Sequence, residues 1–181
     1  MKINAKKRKV SPSFTLLETL IALTILSFAI TGPMELASRA IQSVGVSQNQ
    51  IVSSYLAQEA IEFVKNVRDT NFIQGKNWLA GLDQCLAVNG CYVDIPTYFS
   101  SGLPSAISSC GSQCPAIKYD DTSGFYYNYN IGDDTAFTRK INITKINVNG
   151  VQDEARIRVE ILWKEKNRDR SFVLKEDIFN W

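Results

Sequence analysis

The stretch FTLLETLIALTILSFAIT, residues 14–31, decides the fold: its single charge is Glu18, and the rest is apolar apart from a few hydroxyls. At about 1.5 Å per residue, a helix of this length just spans a hydrocarbon core of about 30 Å. Lys2, Lys6, Lys7, Arg8 and Lys9 precede it, with no acid among residues 1–13. Because Lys and Arg stay on the cytoplasmic side, this asymmetry puts the amino terminus inside and the bulk of the chain outside. A secretory signal would be followed by a small-residue cleavage site, whereas here Gly32-Pro33 runs on into Met34-Glu35-Leu36. A carboxylate in an apolar span costs about 2.5–3.5 kcal/mol at mid-bilayer and less toward the interface. Glu18 is therefore expected to serve a partner.

Gly32-Pro33 should loosen or kink the helix, since Pro removes a backbone donor and crowds the preceding turn. Beyond it, Ile41, Val44, Val52, Leu56, Ala60, Phe63 and Val67 recur at three- and four-residue intervals between Gln, Ser, Glu and Lys, an amphipathic stripe suited to packing on a sheet. Arg68 to Asn71 ends that pattern. The expected helix covers residues 14–67, its upper half (14–31) transmembrane and its lower half amphipathic. Residues 68–181 form the head. Within it, residues 71–123 are rich in Gly, Ser, Asn, Cys and Pro and read as a long loop with short strands near Cys91–Val93 and Ala116–Tyr119. Residues 124–181 switch to period two and predict four strands, 125–131, 137–146, 155–163 and 171–179, in an antiparallel meander. In the third, Ile157, Val159, Ile161 and Trp163 share one face while Arg156, Arg158, Glu160 and Lys164 share the other. The fold class is α+β: a long amino-terminal helix laid on a carboxyl-terminal antiparallel sheet of about four strands.

The 181 residues are 45% hydrophobic and 21% charged, which fits one modest domain with an appendage. The net charge of +2 is carried by the basic leader; without its five cations, 15 basic residues face 18 acids. A mildly acidic remainder offers no basic face to nucleic acid. Cys85, Cys91, Cys110 and Cys114 are disulfide candidates in an exported domain. Their spacing departs from zinc knuckles, and the chain has no His to complete a mixed ligand set. Bridges of Cys85 to Cys91 and of Cys110 to Cys114 are the local choice among three pairings, all of which the sequence leaves open. Without His, and without a P-loop, GxGxxG or GxSxG, the reading is that the chain is not an enzyme and carries no cofactor or metal. Asp120-Asp121 and Asp133-Asp134 lack EF-hand spacing and read as solvated turns. Tyr126, Tyr127 and Tyr129 read as core or sheet surface rather than a base-stacking platform.

Lys-Arg-Lys at residues 7–9, then Ser13-Phe14-Thr15-Leu16-Leu17-Glu18 and the apolar run, resembles the prepilin leader of type IV pilins and type II secretion pseudopilins. The resemblance implies that prepilin peptidase cuts between Ser13 and Phe14 and that the new amino terminus of Phe14 is N-methylated. Ser13 stands where that family usually has Gly. It also implies that Glu18 is the Glu at the fifth position of the mature helix, paired with the amine of a neighbouring subunit. Physically, a helix start carries unpaired N–H groups and partial positive charge, to which the Phe14 ammonium adds a full charge. In a lipid-free filament core such a pair would set subunit registry, because a misregistered carboxylate would stay unpaired.

The implied partners are other pilin subunits, the inner-membrane assembly platform, the peptidase and the membrane itself. The implied location is a single-pass inner membrane protein with its head outside, then an extracellular or periplasm-spanning filament. The tail Ile178-Phe179-Asn180-Trp181, after a strand ending in Trp163, is more loosely similar to minor pilins of the type IV pilus modification protein kind. The expected role is a structural filament subunit, with a pseudopilin or a non-polymerising anchored binding module as the alternatives.

Overall fold

A computed structural model describes residues 15–122, 126–148 and 151–180, so Ser13 and Phe14 lie outside the described residues. The chain divides into two compact units, Met1–Gly45 and Val46–Trp181. Helix α1, Leu16–Ile73, runs through both and includes Pro33. Thr15 caps its start by accepting a hydrogen bond from the Glu18 N–H at 3.3 Å, a use of Thr that satisfies one of the unpaired first-turn donors.

The helix ends at Ile73, six residues beyond the expected Val67. Arg68 to Asn71 holds no helix breaker, and termination waits for Gly75, whose φ of +66° suits a left-handed position that a side chain would strain. There Gly75 N–H donates to Phe72 O at 3.0 Å and Lys76 N–H to Asn71 O at 2.9 Å, the paired bonds of a Schellman ending. The buried Asn71 amide then ties down the exit by donating to Ala80 O at 2.9 Å.

The loop region is more structured than its composition predicts. It contains helix α2 (Asp83–Leu86), strand β1 (Cys91–Val93), helices α3 (Ile95–Ser101) and α4 (Leu103–Ala106), and strands β2 (Ile107–Ser109) and β3 (Ala116–Asp120). Pieces this short show no periodicity, so only turn chemistry and two disulfides mark them. Strands β4 (Tyr126–Asn128), β5 (Asp133–Val148), β6 (Val151–Glu165) and β7 (Arg168–Phe179) complete a seven-stranded antiparallel sheet among the described residues.

The long strands β5, β6 and β7 form the expected meander, in register from Phe137 opposite Trp163 and from Glu154 opposite Phe179. The expected four-strand order fails at its first member: β4 pairs with β3, and β3 lies between it and β5. The other edge of β5 is thus shared by β3, along Asp133–Thr138, and β1, at Ile141, with β4 and β2 lying beyond them. Gly132 explains this arrangement. At φ +98°, a Cβ there would stand 2.2 Å from Tyr119 O, so only glycine lets the chain turn from β4 into β5 directly beneath β3. The β6–β7 turn has both central residues, Lys166 and Asn167, at positive φ, the hand that matches strand twist.

The head core forms where α1 covers one sheet face. Leu56, Ala60, Phe63 and Val67 of the expected stripe are buried, along with Ala57, Ile61 and Val64 beside them. They meet Ile141, Ile143, Ile157, Val159, Ile161 and Trp163, the inward face of β5 and β6. Each fully buried aliphatic of this size contributes about 1.5–3 kcal/mol of transfer free energy. The stripe's upstream end is different. Ile41 and Val44 are 74% and 65% exposed, because they precede Val46, where the head begins.

Candidate functional site

Two features of this chain need a partner or an explanation: the apolar helix before Val46 and a buried charge cluster where α1 meets the sheet. In the first, every residue from Thr15 to Gly45 is exposed. Leu16, Leu17, Leu20, Ile21, Leu23, Ile25, Leu26, Phe28 and Ile30 thus leave half or more of their surface exposed. A helix here is long and apolar enough to cross a membrane. Its hydroxyls suit that role. Thr19, Thr24, Ser27 and Thr31 each donate back to a carbonyl three or four residues earlier, at 2.9, 2.8, 2.8 and 3.0 Å, so no unsatisfied hydroxyl would face lipid. Among the described residues no ion pair reaches Glu18, whereas Glu35 and Arg39 form an exposed pair at 2.6 Å.

The second feature centres on Arg139 of β5, 2% exposed. It sits on the inward face with Phe137, Ile141 and Ile143, where an apolar side chain is the rule. Its guanidinium donates to Glu59 Oε2 at 2.6 Å and Leu56 O at 3.2 Å, both on α1, and to Val93 O of β1 at 2.7 Å. It also lies 5.9 Å from the centre of the Tyr129 ring, which packs on Tyr92 at 4.6 Å. Burial opposes the Arg139 charge, but the neighbouring Tyr129 phenol group and Glu59 carboxylate more than offset this and hold it above its ordinary value. Burial also pushes the Tyr129 phenol up. The cluster extends to Asp94, which accepts from Thr97 Oγ1 at 2.8 Å and from the Asn130 amide. One residue thereby joins α1, β1 and β5.

A further tie is Lys65 of α1 to Glu176 of β7 at 2.5 Å. The Glu176 carboxylate bonded to Lys65 raises the ammonium above its usual value. Tyr98 of α3 adds a hydrogen bond to Asn66 at 3.2 Å and an edge contact with Phe63. These bonds fix the helix to the head by specific polar contacts as well as by apolar area.

The four cysteines form two local bridges, Cys85–Cys91 and Cys110–Cys114. The first is fully buried and closes the turn that delivers β1 to β5; the second closes a surface loop after β2. Of the acidic pairs, Asp120 is not solvated as expected: it is buried, and its Oδ1 accepts from Thr122 N–H at 2.9 Å and Thr122 Oγ1 at 2.7 Å to close a turn. Asp134 pairs with Lys118 at 3.1 Å. Tyr127 stacks near Tyr119 with ring centres 5.1 Å apart, and Tyr129 belongs to the Arg139 cluster.

Among the described residues no group of His, Cys, Asp and Glu is placed to hold a metal ion. Arg139 was legible only as an anomaly, a charge at an inward position of the alternation Phe137, Arg139, Ile141, Ile143. Compared with family models, curated proteins and solved structures, the chain has no match.

Proposed function

We propose that the chain is a structural subunit of a type IV pilus or related filament, held in the inner membrane by α1 before assembly and joined to its neighbours through that helix afterwards. The observation that carries this reading is the helix segment from Leu16 to Gly45, exposed throughout, whose apolar run to Thr31 holds a single carboxylate, Glu18. An anchor alone asks only for apolar length. Glu18 adds a cost that an anchor does not need, and Ile41 and Val44 extend the uncovered stripe past the membrane span, where lipid no longer covers it. The prepilin-like leader supports processing before Phe14, and the resulting amine gives Glu18 a counter-charge in a neighbouring copy. The minor-pilin subtype rests on the looser likeness of the carboxyl-terminal strands.

The test is intact mass and terminal sequencing of protein recovered from sheared cell-surface material. A polymerised species beginning with a methylated Phe14 is expected; a chain beginning at Met1 and remaining in the membrane refutes the reading. Glu18→Ala separates a filament subunit from an anchored module. The former should lose sheared polymer while keeping membrane levels, whereas the latter should be unaffected.

A further inference from the structure

Between Thr15 and Gln58, α1 carries only three charged residues, Glu18, Glu35 and Arg39. Arg39 is the one cation among them. Its guanidinium donates one N–H to Glu35 at 2.6 Å, on a stretch where both side chains are mostly exposed. A guanidinium has five donors, so that bond leaves capacity for a second carboxylate. Glu18 lies twenty-one residues earlier, a rise of about 31 Å and close to six turns, which returns it to within about 60° of the same helix face. The segment between Glu18 and Glu35 carries no charge at all.

We infer that Glu18 of one copy pairs with Arg39 of a second copy displaced along the helix axis by about 31 Å. The inference rests on the filament reading and names a contact within it. Charge complementarity selects the offset. With no displacement, parallel copies set Glu18 against Glu18 and Arg39 against Arg39. A seventeen-residue shift sets Glu18 against Glu35, and a four-residue shift matches Glu35 to Arg39 and sets Glu18 against Phe14, the amine contact of the filament reading, so the guanidinium contact belongs to a different neighbour. The twenty-one-residue shift alone gives Glu18 a cation from the helix itself. That distance is also close to the thickness of a hydrocarbon core, about 30 Å. A copy drawn outward by one membrane thickness brings its Glu18 level with Arg39 of a copy still embedded. A carboxylate has about four acceptor positions, so this bond and one from an amino terminus are compatible.

The experiment is a double-mutant cycle in the full-length chain, expressed in cells that form filaments, with sheared polymer quantified against membrane-held subunit. Arg39→Gln should lower the polymer at least tenfold, and Glu18→Gln with Arg39→Gln together should be no worse than the poorer single variant. Arg39→Lys should retain a substantial share, and Glu35→Gln should stay within about twofold of the original. Arg39→Gln polymer at the original yield overturns the pairing and leaves the filament reading standing. So does Glu35→Gln falling as far as Arg39→Gln, because the intrahelical pair would then be what matters. No sheared polymer from the unmodified chain overturns both.

Discussion

Replacing Arg139 by Met tests whether one buried cation holds the helix to the sheet. Met keeps most of the stem volume and removes the charge, so packing loss is small and the polar network is the variable. Two consequences follow. Val93 O loses its 2.7 Å donor inside the core, at a cost of about 1–3 kcal/mol. Glu59 loses its cation but is 39% exposed and regains water, so its penalty is a fraction of the 3–5 kcal/mol typical when a fully buried pair is broken. The expected total is about 2–4 kcal/mol, or roughly 10 °C in Tm for a head of this size.

The reciprocal change, Glu59→Ala, keeps Arg139 buried without its counter-charge and should cost a similar amount. The double variant Arg139→Met with Glu59→Ala should then cost clearly less than the sum of the two. The assay is near-ultraviolet circular dichroism melting of the detergent-solubilised full chain, with chymotrypsin cleavage near Phe63 as a local probe. A Tm for Arg139→Met within about 2 °C of the original, or strictly additive variants, would refute the claim that these groups act as one tie.

Lys65 and Tyr129 have folded values above their ordinary 10.5 and 10.0, the first mainly through its bond to Glu176 and the second through burial. The stability each contributes is fully present below those ordinary values and is lost as pH rises through the higher folded ones. The urea midpoint should therefore fall above about pH 10, less steeply in Lys65→Met. Asp177, which the hydrogen bond from Arg156 holds below its ordinary 3.8, should titrate in the acid range by carboxyl NMR, and Arg156→Gln should bring it back toward that value. Gly132→Ala places a methyl group against Tyr119 backbone at positive φ and should destabilise by about 1–3 kcal/mol, read from the same melts. Dithiothreitol should open Cys110–Cys114 first, because Cys114 is half-buried whereas Cys85 and Cys91 are wholly enclosed; alkylation and mass spectrometry give the order.

What the sequence disclosed follows from how long each signal runs. The helix and strands β5 to β7 span many periods, and Ile157, Val159, Ile161 and Trp163 occupy the face their alternation assigned to them. Where a signal is a single turn or three residues, as in α2, α4 and β2, there is no period to read, and local chemistry within the Cys-rich loop decides. The place of β3 between β4 and β5 is a long-range outcome that no local pattern encodes, although Gly132 permits it. Arg139 shows a different gap. Its strand was legible, but reading it by average hydrophobicity hides one inward charge whose partners lie 46 and 80 residues away. Ile41 and Val44 were assigned to the same stripe as Leu56 and Phe63 because helical period alone cannot tell where the covering sheet stops.

The stop at Val46 bears directly on the proposed assembly. If the stripe were buried along its whole length, the helix would be a core element that also happens to cross a membrane, and Glu18 would be an isolated oddity. Instead the side that the head uses after Val52 continues, uncovered, through Val44 and Ile41 into the apolar span. Lipid would cover only the part within about 30 Å. A subunit that leaves the membrane loses even that cover, so its transfer is favourable only if other apolar helices replace the lipid as it goes. The proposed contact, offset by one membrane thickness, would supply this replacement stepwise, since each copy's upper segment would meet the lower segment of the next. The polar ties at Arg139 and Lys65 then have a mechanical consequence. In the proposed filament a load applied to the head would reach the packed helices through α1, and weakening the ties should release heads before it separates helices.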